Sequence, residues 1–284
     1  MSYSEHCRRA AAPGLLKAWA RRLLPRGWLE KTYPLRERIR RAPFNLRARW
    51  RIFWDLRLRR LPIADLSRYE FRVSSQNAED GIIAALFARL GVTNRTFVEF
   101  GVEDGIVCNT ARLLRRGWSG LQMDPREGNA GGIKRELVTA ENVNDLFARY
   151  GVPRDFDLLV IDIDGNDYWV WQAVSGYRPR VVVVEYNANL APERSVAIRY
   201  DPGFRWDGTA YYGASLLALQ RLGRRKGYRL AGCDSMGVNA FFVRADLAAG
   251  VILAPDDVRE IYRPLGPAHR PSPEAPGKSW VEIA

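Results

Sequence analysis

The sequence predicts an α/β protein with a doubly wound, mostly parallel seven-stranded sheet, a C-terminal antiparallel strand and a basic helical N-terminal extension. Strand and helix signals alternate through residues 70–246. Within residues 157–163 lies a continuous apolar run, as expected for a central parallel strand covered on both faces. The last two predicted strands lie only a few residues apart. They suit an antiparallel hairpin, because a parallel connection needs a crossover of about a dozen residues or more.

The apolar periodicity places the individual elements of this body. Predicted strands cover residues 96–100, 120–124, 136–139, 157–163, 180–186, 228–233 and 240–244. Predicted helices cover residues 78–90, 109–116, 143–150, 167–174 and 212–226. Residues 187–209 are rich in Pro, Gly and aromatic side chains and are predicted to form a loop.

Three regions follow from these patterns: a basic extension over residues 1–68, a body over 69–262 and a Pro-rich, extended tail over 263–284. Two helices are predicted in the extension, at 15–24 and 46–61. The second helix aligns an apolar stripe of Leu46, Trp50, Trp54, Leu58 and Leu61. Arg57 intrudes on that stripe, and Ile52 and Leu56 lie outside it.

The net charge of +12 is concentrated at one end of the chain. Residues 1–60 carry 17 Lys and Arg against four acids, a balance of +13, whereas the remaining residues carry 27 bases against 28 acids. For this basic segment three interpretations stay open: a solvated arm, attachment to an anionic membrane or glycolipid, and nucleic-acid binding. Nucleic acid is the least favoured of the three.

Cysteine and histidine usage excludes several kinds of site. The three cysteines lie far apart without a CxxC pair, which fits a reducing cytosol better than a disulfide framework or structural zinc. The two histidines, His6 and His269, lie near opposite ends, which excludes a histidine-based triad in the core. No apolar run approaches the roughly 20 residues that span a bilayer. We therefore expect a cytoplasmic protein, with peripheral contact at the inner face of the membrane as one option.

The sharpest local signal is residues 97–105, FVEFGVEDG, in which a strand ends and a loop with Gly101 and Gly105 follows. Glycine is needed where the backbone passes close to a ligand or adopts positive φ. The spacing differs from GxGxxG, and the acids Glu99, Glu103 and Asp104 would repel a pyrophosphate. Carboxylates instead attract a sulfonium and ammonium ligand, so charge favours S-adenosylmethionine over NAD.

Further acids end the neighbouring strands. Asp124 lies 23 residues after Gly101, where a carboxylate can accept both ribose hydroxyls. Asp162 and Asp164 share one side-chain parity after the central strand, and Glu185 ends the next strand. The carboxyl ends of parallel strands meet at one edge of the sheet, so these acids are expected in one crevice. Asp167 is interpreted as the N-cap of the following helix.

Four segments together resemble the FkbM-like methyltransferases, which often occur among genes for polysaccharides and other glycans. The segments are residues 75–81 (SQNAEDG), 98–105 (VEFGVEDG), 161–165 (IDIDG) and 184–187 (VEYN). The resemblance covers about residues 74–246. It implies a class I, Rossmann-like methyltransferase fold, S-adenosylmethionine as methyl donor and O-methylation of a sugar hydroxyl. One departure is Asp164, where the better-known members carry Glu.

The resemblance also implies roles for individual residues. Glu99, Gly101 and Gly105 match the cofactor loop, Asp124 the ribose carboxylate and Asp162 the acid that ends the fourth strand. The predicted cofactor-binding set is completed by two loop residues, Glu103 and Asn109.

With no histidine in this region, a carboxylate is the expected base for removing the proton of an acceptor hydroxyl. Asp162 or Asp164 is favoured, with Glu185 next, and the same three acids could instead hold a divalent cation such as Mg²⁺. The acceptor site is expected among aromatic side chains: Trp169, Trp171, Tyr186, Trp206, Tyr211 and Tyr212. Two other functions stay open, a non-catalytic adaptor anchored by its basic arm and an RNA methyltransferase. The oligomeric state is left open.

Overall fold

A computed structural model of the protein describes residues 45–126, 132–266, 271–273 and 277–284. The strands and helices below belong to the compact unit of residues 47–284. The helix predicted at 15–24 lies outside the described residues.

Seven strands form the main sheet, and its mostly parallel α/β character is confirmed. They are β1 Thr96–Phe100, β2 Ser119–Asp124, β3 Lys134–Arg135, β4 Asp155–Ile161, β5 Arg178–Glu185, β7 Tyr228–Cys233 and β8 Asn239–Arg244. The spatial order is β3-β2-β1-β4-β5-β8-β7. Only β8 runs against its neighbours, since it pairs antiparallel with both β5 and β7.

The core lies on both faces of β4 and β5, which read as apolar runs because helices cover them on either side. The helices are α1 Glu79–Leu90, α2 Ala111–Leu114, α3 Val143–Arg149, α4 Asp167–Ala173, α5 Leu216–Arg225, α6 Ala245–Ala248 and α7 Val258–Ile261. Strand order reverses between β1 and β4, so a crevice opens at the carboxyl ends of these two strands.

Three predicted elements of the body differ from the structure, and one of them is the helix predicted at 212–226, which is confined to α5. The strand predicted at 136–139 is absent; instead Lys134 and Arg135 pair with Met123 and Asp124, after which the chain leaves the sheet edge. The helix predicted at 109–116 shrinks to α2, because the backbone N–H groups of residues 109 and 110 are bound by a buried side chain described below.

The N-terminal helix packs on the body through residues outside the apolar stripe seen in the sequence. Residues 47–51 are helical and continue into a π-helical segment, Ile52–Leu58. Ala48, Ile52 and Leu56 are buried in the core, whereas the predicted apolar stripe is exposed. A 3₁₀ helix, Leu66–Tyr69, follows and also contributes to the core. Part of the segment predicted as an extension therefore packs as part of the body.

The predicted loop and tail also contain strands. β6 Val196–Ile198 lies within the predicted loop and pairs antiparallel with β9 Trp280–Glu282 in the predicted tail. Tyr211 supports this pair by donating a hydrogen bond to the Ser279 carbonyl at 2.8 Å. Among the described residues, no helix combines the length and the apolar character needed to cross a bilayer.

Candidate functional site

A cleft of about 650 Å³ opens at the carboxyl ends of β1, β2, β4 and β5. This volume lies within the roughly 300–1,000 Å³ of small-molecule sites. Every predicted cofactor-binding or catalytic residue except Gly105 lines it: Glu99, Gly101, Glu103, Asn109, Asp124, Asp162, Asp164 and Glu185. Gly105 shapes the loop instead, with a φ of +72° and a 2.8 Å hydrogen bond from its N–H to the Val102 carbonyl.

Position 101 requires a glycine because its φ is positive and because no room is left there for a Cβ atom. Its φ is +74°, and a Cβ at this position would lie 1.7 Å from the Asp162 carbonyl oxygen. Its N–H donates to the Met123 carbonyl at 3.0 Å. The loop after β1 is therefore pressed between the ends of β2 and β4, where side-chain-free backbone forms part of the cleft wall.

Glu99 organises the loop rather than presenting a free charge. It is 3% exposed, and its carboxylate accepts hydrogen bonds from Asn109 N at 2.8 Å, from Thr110 N at 3.1 Å and from the Thr110 hydroxyl. Burial raises the pKa of Glu99, although these donors oppose the rise. The Asn109 Oδ1 atom is buried without a hydrogen-bond partner among the described residues.

Asp124 and Glu103 form a second part of the wall. The Asp124 carboxylate is buried and accepts hydrogen bonds from Glu103 N at 2.8 Å and Arg126 N at 2.9 Å. The Glu103 side chain is exposed and forms an ion pair with Arg126, with 3.0 Å between Nη1 and Oε1. Glu103 therefore contributes to the rim as a neutralised pair rather than as a net negative charge.

The predicted catalytic acids converge. One carboxylate oxygen each from Asp162, Asp164 and Glu185 lies within 4.8 Å of the others. Asp162 and Glu185 are half-buried and Asp164 is exposed. The Glu185 Oε2 atom is buried without a hydrogen-bond partner among the described residues. Burial raises the pKa of Asp162 and of Glu185 well above the usual range, and each is raised further by repulsion from neighbouring acids.

Asp167 is not the N-cap that the sequence predicts. Asn166 occupies that position, and Asp167 is the first residue of α4. Its buried carboxylate accepts hydrogen bonds from the backbone N–H groups of Ile163 and Gly165, each at 2.9 Å. It thus fixes the loop in which Asp164 adopts a φ of +56°. Burial raises the pKa of Asp167 to about 7.

Of the predicted aromatic set, Trp206 and Tyr212 line the cleft. Trp171 and Tyr186 are instead core residues, with exposed fractions of 1% and 0%. Phe204 was not predicted and also lines the cleft. Its ring lies against Gly165, where a Cβ would approach it to 2.4 Å. The glycine after Asp164 was therefore the one sequence feature that could have indicated a bulky side chain packed at this point.

The floor of the cleft includes residues from the start of α1 that had no predicted role. Asn77 and Glu79 line it, and Ala78 between them has a φ of +74°. The buried Glu79 carboxylate accepts hydrogen bonds from Asn77 N at 2.7 Å and from the Asn239 side-chain amide at 3.0 Å. This network joins α1 to β8 beneath the acids.

The cleft wall is strongly acidic. Among the described residues that line it, eight are Asp or Glu and two are Arg: Glu79, Glu99, Glu103, Asp124, Glu136, Asp162, Asp164 and Glu185 against Arg126 and Arg205. At its centre, burial first and then repulsion between neighbouring acids raise the pKa of Asp162 and of Glu185. A cation would relieve that repulsion, whereas a pyrophosphate would add to it.

Comparison with known proteins adds no relative to this description. No protein-family model, curated protein or solved structure matches the chain at a significant level. The resemblance to FkbM-like methyltransferases therefore stays a prediction, and the function of the cleft has to be judged from its own residues.

Proposed function

We propose that the chain is an S-adenosylmethionine-dependent methyltransferase of the class I, FkbM-like type that O-methylates a sugar or glycan hydroxyl. The observation that carries this proposal is the acidity of the cleft at the switch point of a mostly parallel sheet: among the described lining residues, carboxylic acids outnumber arginines eight to two, and seven to one once the Glu103–Arg126 ion pair is set aside. A sulfonium and ammonium ligand complements that charge, and a dinucleotide does not. The single antiparallel strand β8 also supports the class I layout.

The cofactor would be held by the loops after β1 and β2. Gly101 lets the backbone come close to the ligand, and Asp124, whose buried carboxylate lies at the end of β2 in the cleft wall, would accept the ribose hydroxyls. The buried, unpartnered Asn109 Oδ1 atom would accept a further donor. When bound, S-adenosylmethionine supplies an electrophilic methyl group whose leaving group is a neutral thioether.

Asp162 is the favoured base, followed by Asp164 and then Glu185. Methyl transfer to a hydroxyl releases one proton, and a carboxylate of the cluster would accept it. Burial and repulsion from neighbouring acids raise the pKa of Asp162, which makes its carboxylate a stronger base than an ordinary one. Asp162 has no hydrogen-bond donor among the described residues, so its carboxylate is available to an acceptor hydroxyl.

The same three acids also fit a divalent cation such as Mg²⁺. The donor set is three carboxylates, and the buried Glu185 Oε2 atom has no hydrogen-bond partner among the described residues. Such a cation would lower the pKa of the acceptor hydroxyl. Assay after EDTA treatment separates the alternatives: full activity assigns Asp162 as a metal-free base, and activity restored only by Mg²⁺ assigns the three acids as ligands.

The acceptor would bind beside Trp206, an exposed aromatic side chain that could stack against a sugar ring, with Phe204 and the buried Tyr212 also lining the cleft. Trp206 is 45% exposed, and its indole N–H donates to the Thr209 carbonyl at 2.7 Å, which fixes the ring at the cleft mouth. We place the activity in the cytoplasm, a compartment that agrees with the two described cysteines, Cys108 and Cys233, being free thiols.

A methyl-transfer assay tests the proposal. The full chain is incubated with methyl-labelled S-adenosylmethionine and with polysaccharide, monosaccharide or RNA acceptors. We expect label on a saccharide and none on RNA, and loss of that label in Asp162→Asn. Label on RNA alone would favour an RNA methyltransferase. Binding of the cofactor without transfer to any hydroxylated acceptor would favour the non-catalytic adaptor.

A further inference from the structure

The helical segment at residues 47–58 has two apolar faces, and only one of them meets the core. Ala48, Ile52 and Leu56 recur every fourth residue and are buried. The other face carries larger side chains and points to solvent, with Trp50 63% exposed and Leu58 58% exposed. A helix that needed only to pack on this body would place polar residues there.

Three of the exposed side chains are aromatic and contact one another, and two exposed leucines follow them along the chain. We define the aromatic face as Trp50, Phe53, Trp54, Leu58 and Leu61, all of which are exposed. The Trp50 and Trp54 ring centroids lie 5.5 Å apart, and those of Phe53 and Trp54 lie 5.6 Å apart. Contiguous apolar surface of this kind marks an interaction site, unlike single exposed side chains. None of the five residues lines the cleft.

Arginine surrounds the aromatic face. Residues 47–60 contain six arginines and one acid, Asp55, and all six arginines are exposed: Arg47, Arg49, Arg51, Arg57, Arg59 and Arg60. Two of them are held by the body, since the Arg49 guanidinium lies 5.1 Å from the Phe71 ring centroid and Arg51 Nη1 donates to the Arg68 carbonyl at 3.3 Å.

We propose that the aromatic face and its arginine rim are a docking surface for an anionic lipid membrane. Trp, Phe and Leu side chains would enter the boundary between headgroups and acyl chains, and arginines would pair with lipid phosphates. The helix would lie along the membrane surface, as its length and its charged flanks require. The proposal does not depend on the methyltransferase function of the cleft.

Charge decides against the other occupants. Residues 1–44 carry 11 Lys and Arg against three acids, so this segment and the arginine rim repel each other. A second copy of the face would bring the same positive rim against itself. RNA complements the charge, but the aliphatic Leu58 and Leu61 offer no ring on which bases could stack. An anionic membrane is the partner that matches both the apolar surface and its charge.

Vesicle co-sedimentation tests the proposal with the full chain. The vesicles consist of phosphatidylcholine alone or of phosphatidylcholine mixed with phosphatidylglycerol. We expect wild type to bind the mixed vesicles and to be released by high salt. Trp50→Ser/Phe53→Ser/Trp54→Ser should lower the partition coefficient by roughly tenfold or more. Arg57→Glu/Arg59→Glu/Arg60→Glu should abolish the preference for the anionic vesicles.

The matched control is Val92→Ser/Leu114→Ser/Leu253→Ser, which removes three exposed apolar side chains elsewhere on the body. It should bind vesicles as wild type does, and thermal unfolding should show that all three variants remain folded. Equal vesicle binding by wild type and the aromatic variant would overturn the proposal. Failure of the wild type to bind mixed vesicles would also overturn it. In that case, binding of single-stranded RNA through this face would favour RNA as the partner, and a dimer that the aromatic variant dissociates would favour a second copy of the chain.

Discussion

The two ends of β4 carry acids in opposite surroundings. At its beginning, Asp157 is fully buried and accepts hydrogen bonds from the backbone N–H groups of Thr93, Asn94 and Arg95 at 2.8, 3.0 and 2.7 Å. Arg180 adds an ion pair, with 3.4 Å between Nε and the carboxylate. Three backbone N–H groups and one arginine of the protein therefore stabilise this buried negative charge.

Asp162, just beyond the other end of β4, has no such support. No donor among the described residues bonds its carboxylate, and its neighbours Asp164 and Glu185 have the same charge. A half-buried charge beside two like charges and without donors is costly, so the fold tolerates Asp162 at the expense of stability. The comparison separates an acid that maintains the structure from one that is kept ready for a ligand.

Asp162→Asn should give the largest effect, and on function rather than on folding. Loss of the base should lower methyl transfer by about 10²–10⁴-fold. The same change removes a repelling charge, so the free energy of unfolding should rise by about 0.5–2 kcal/mol. Labelled methyl transfer and urea unfolding measure the two quantities. A variant that is destabilised and still turns over would place Asp162 with Asp157 as a structural acid.

Asp157→Ala should give the reverse result. It leaves three backbone donors and Arg180 without their acceptor, and we expect a loss of about 3–5 kcal/mol in the free energy of unfolding. Asp155→Ala is the control, because Asp155 begins the same strand but is exposed and pairs with Arg244. That change should cost about 1 kcal/mol or less. Similar urea midpoints for the two variants would contradict the role assigned to Asp157.

Gly101→Ala tests the end of the sheet where the ligand would bind. Gly117 has nearly the same φ, +76°, but open space around its Cβ position, so Gly117→Ala measures the backbone cost alone, about 1–2 kcal/mol. Gly101→Ala adds a clash with the Asp162 carbonyl, and each 1.4 kcal/mol of strain in the bound state should weaken S-adenosylmethionine about tenfold. Isothermal titration measures this. Equal affinity in both variants would mean that the loop after β1 does not approach the ligand.

The pH dependence of stability should show the smallest effect. Burial and mutual repulsion raise the pKa of Asp162 and Glu185 in the folded chain above the ordinary carboxyl value of about 4. The folded state therefore binds these protons more tightly, and the stability that they contribute is lost as pH rises through the folded pKa values. Urea unfolding in EDTA should show this decline in wild type and a flatter one in Asp162→Asn. An unchanged slope would mean that Asp162 is charged throughout.

The sheet and the convergence of the acids were predictable because both depend on local patterns. An apolar run indicates a central strand, and parallel strands end at one edge, so Asp124, Asp162 and Glu185 had to meet there. What each acid does was less predictable. The Glu99 carboxylate accepts hydrogen bonds from the backbone of Asn109 and Thr110, and the Asp167 carboxylate accepts one from the loop before α4. These contacts depend on how the chain folds back rather than on residue type.

The N-terminal helix shows another limit of the sequence pattern. An apolar stripe runs from Trp50 to Leu61, yet Ile52 and Leu56, which lie outside that stripe, pack inward. Periodicity shows that two faces are apolar but not which of them the body covers. The pairing of β6 with β9 joins residues more than eighty positions apart and has no local signal of its own.

Isothermal titration of the full chain with S-adenosylmethionine, its neutral demethylated product and NAD tests the central claim most directly. We predict binding of both adenosyl ligands and none of NAD. Glu185→Gln should weaken the charged cofactor more than the neutral product, because the carboxylates recognise the positive charge. Binding of NAD with no heat from S-adenosylmethionine would contradict the assignment of this acidic cleft.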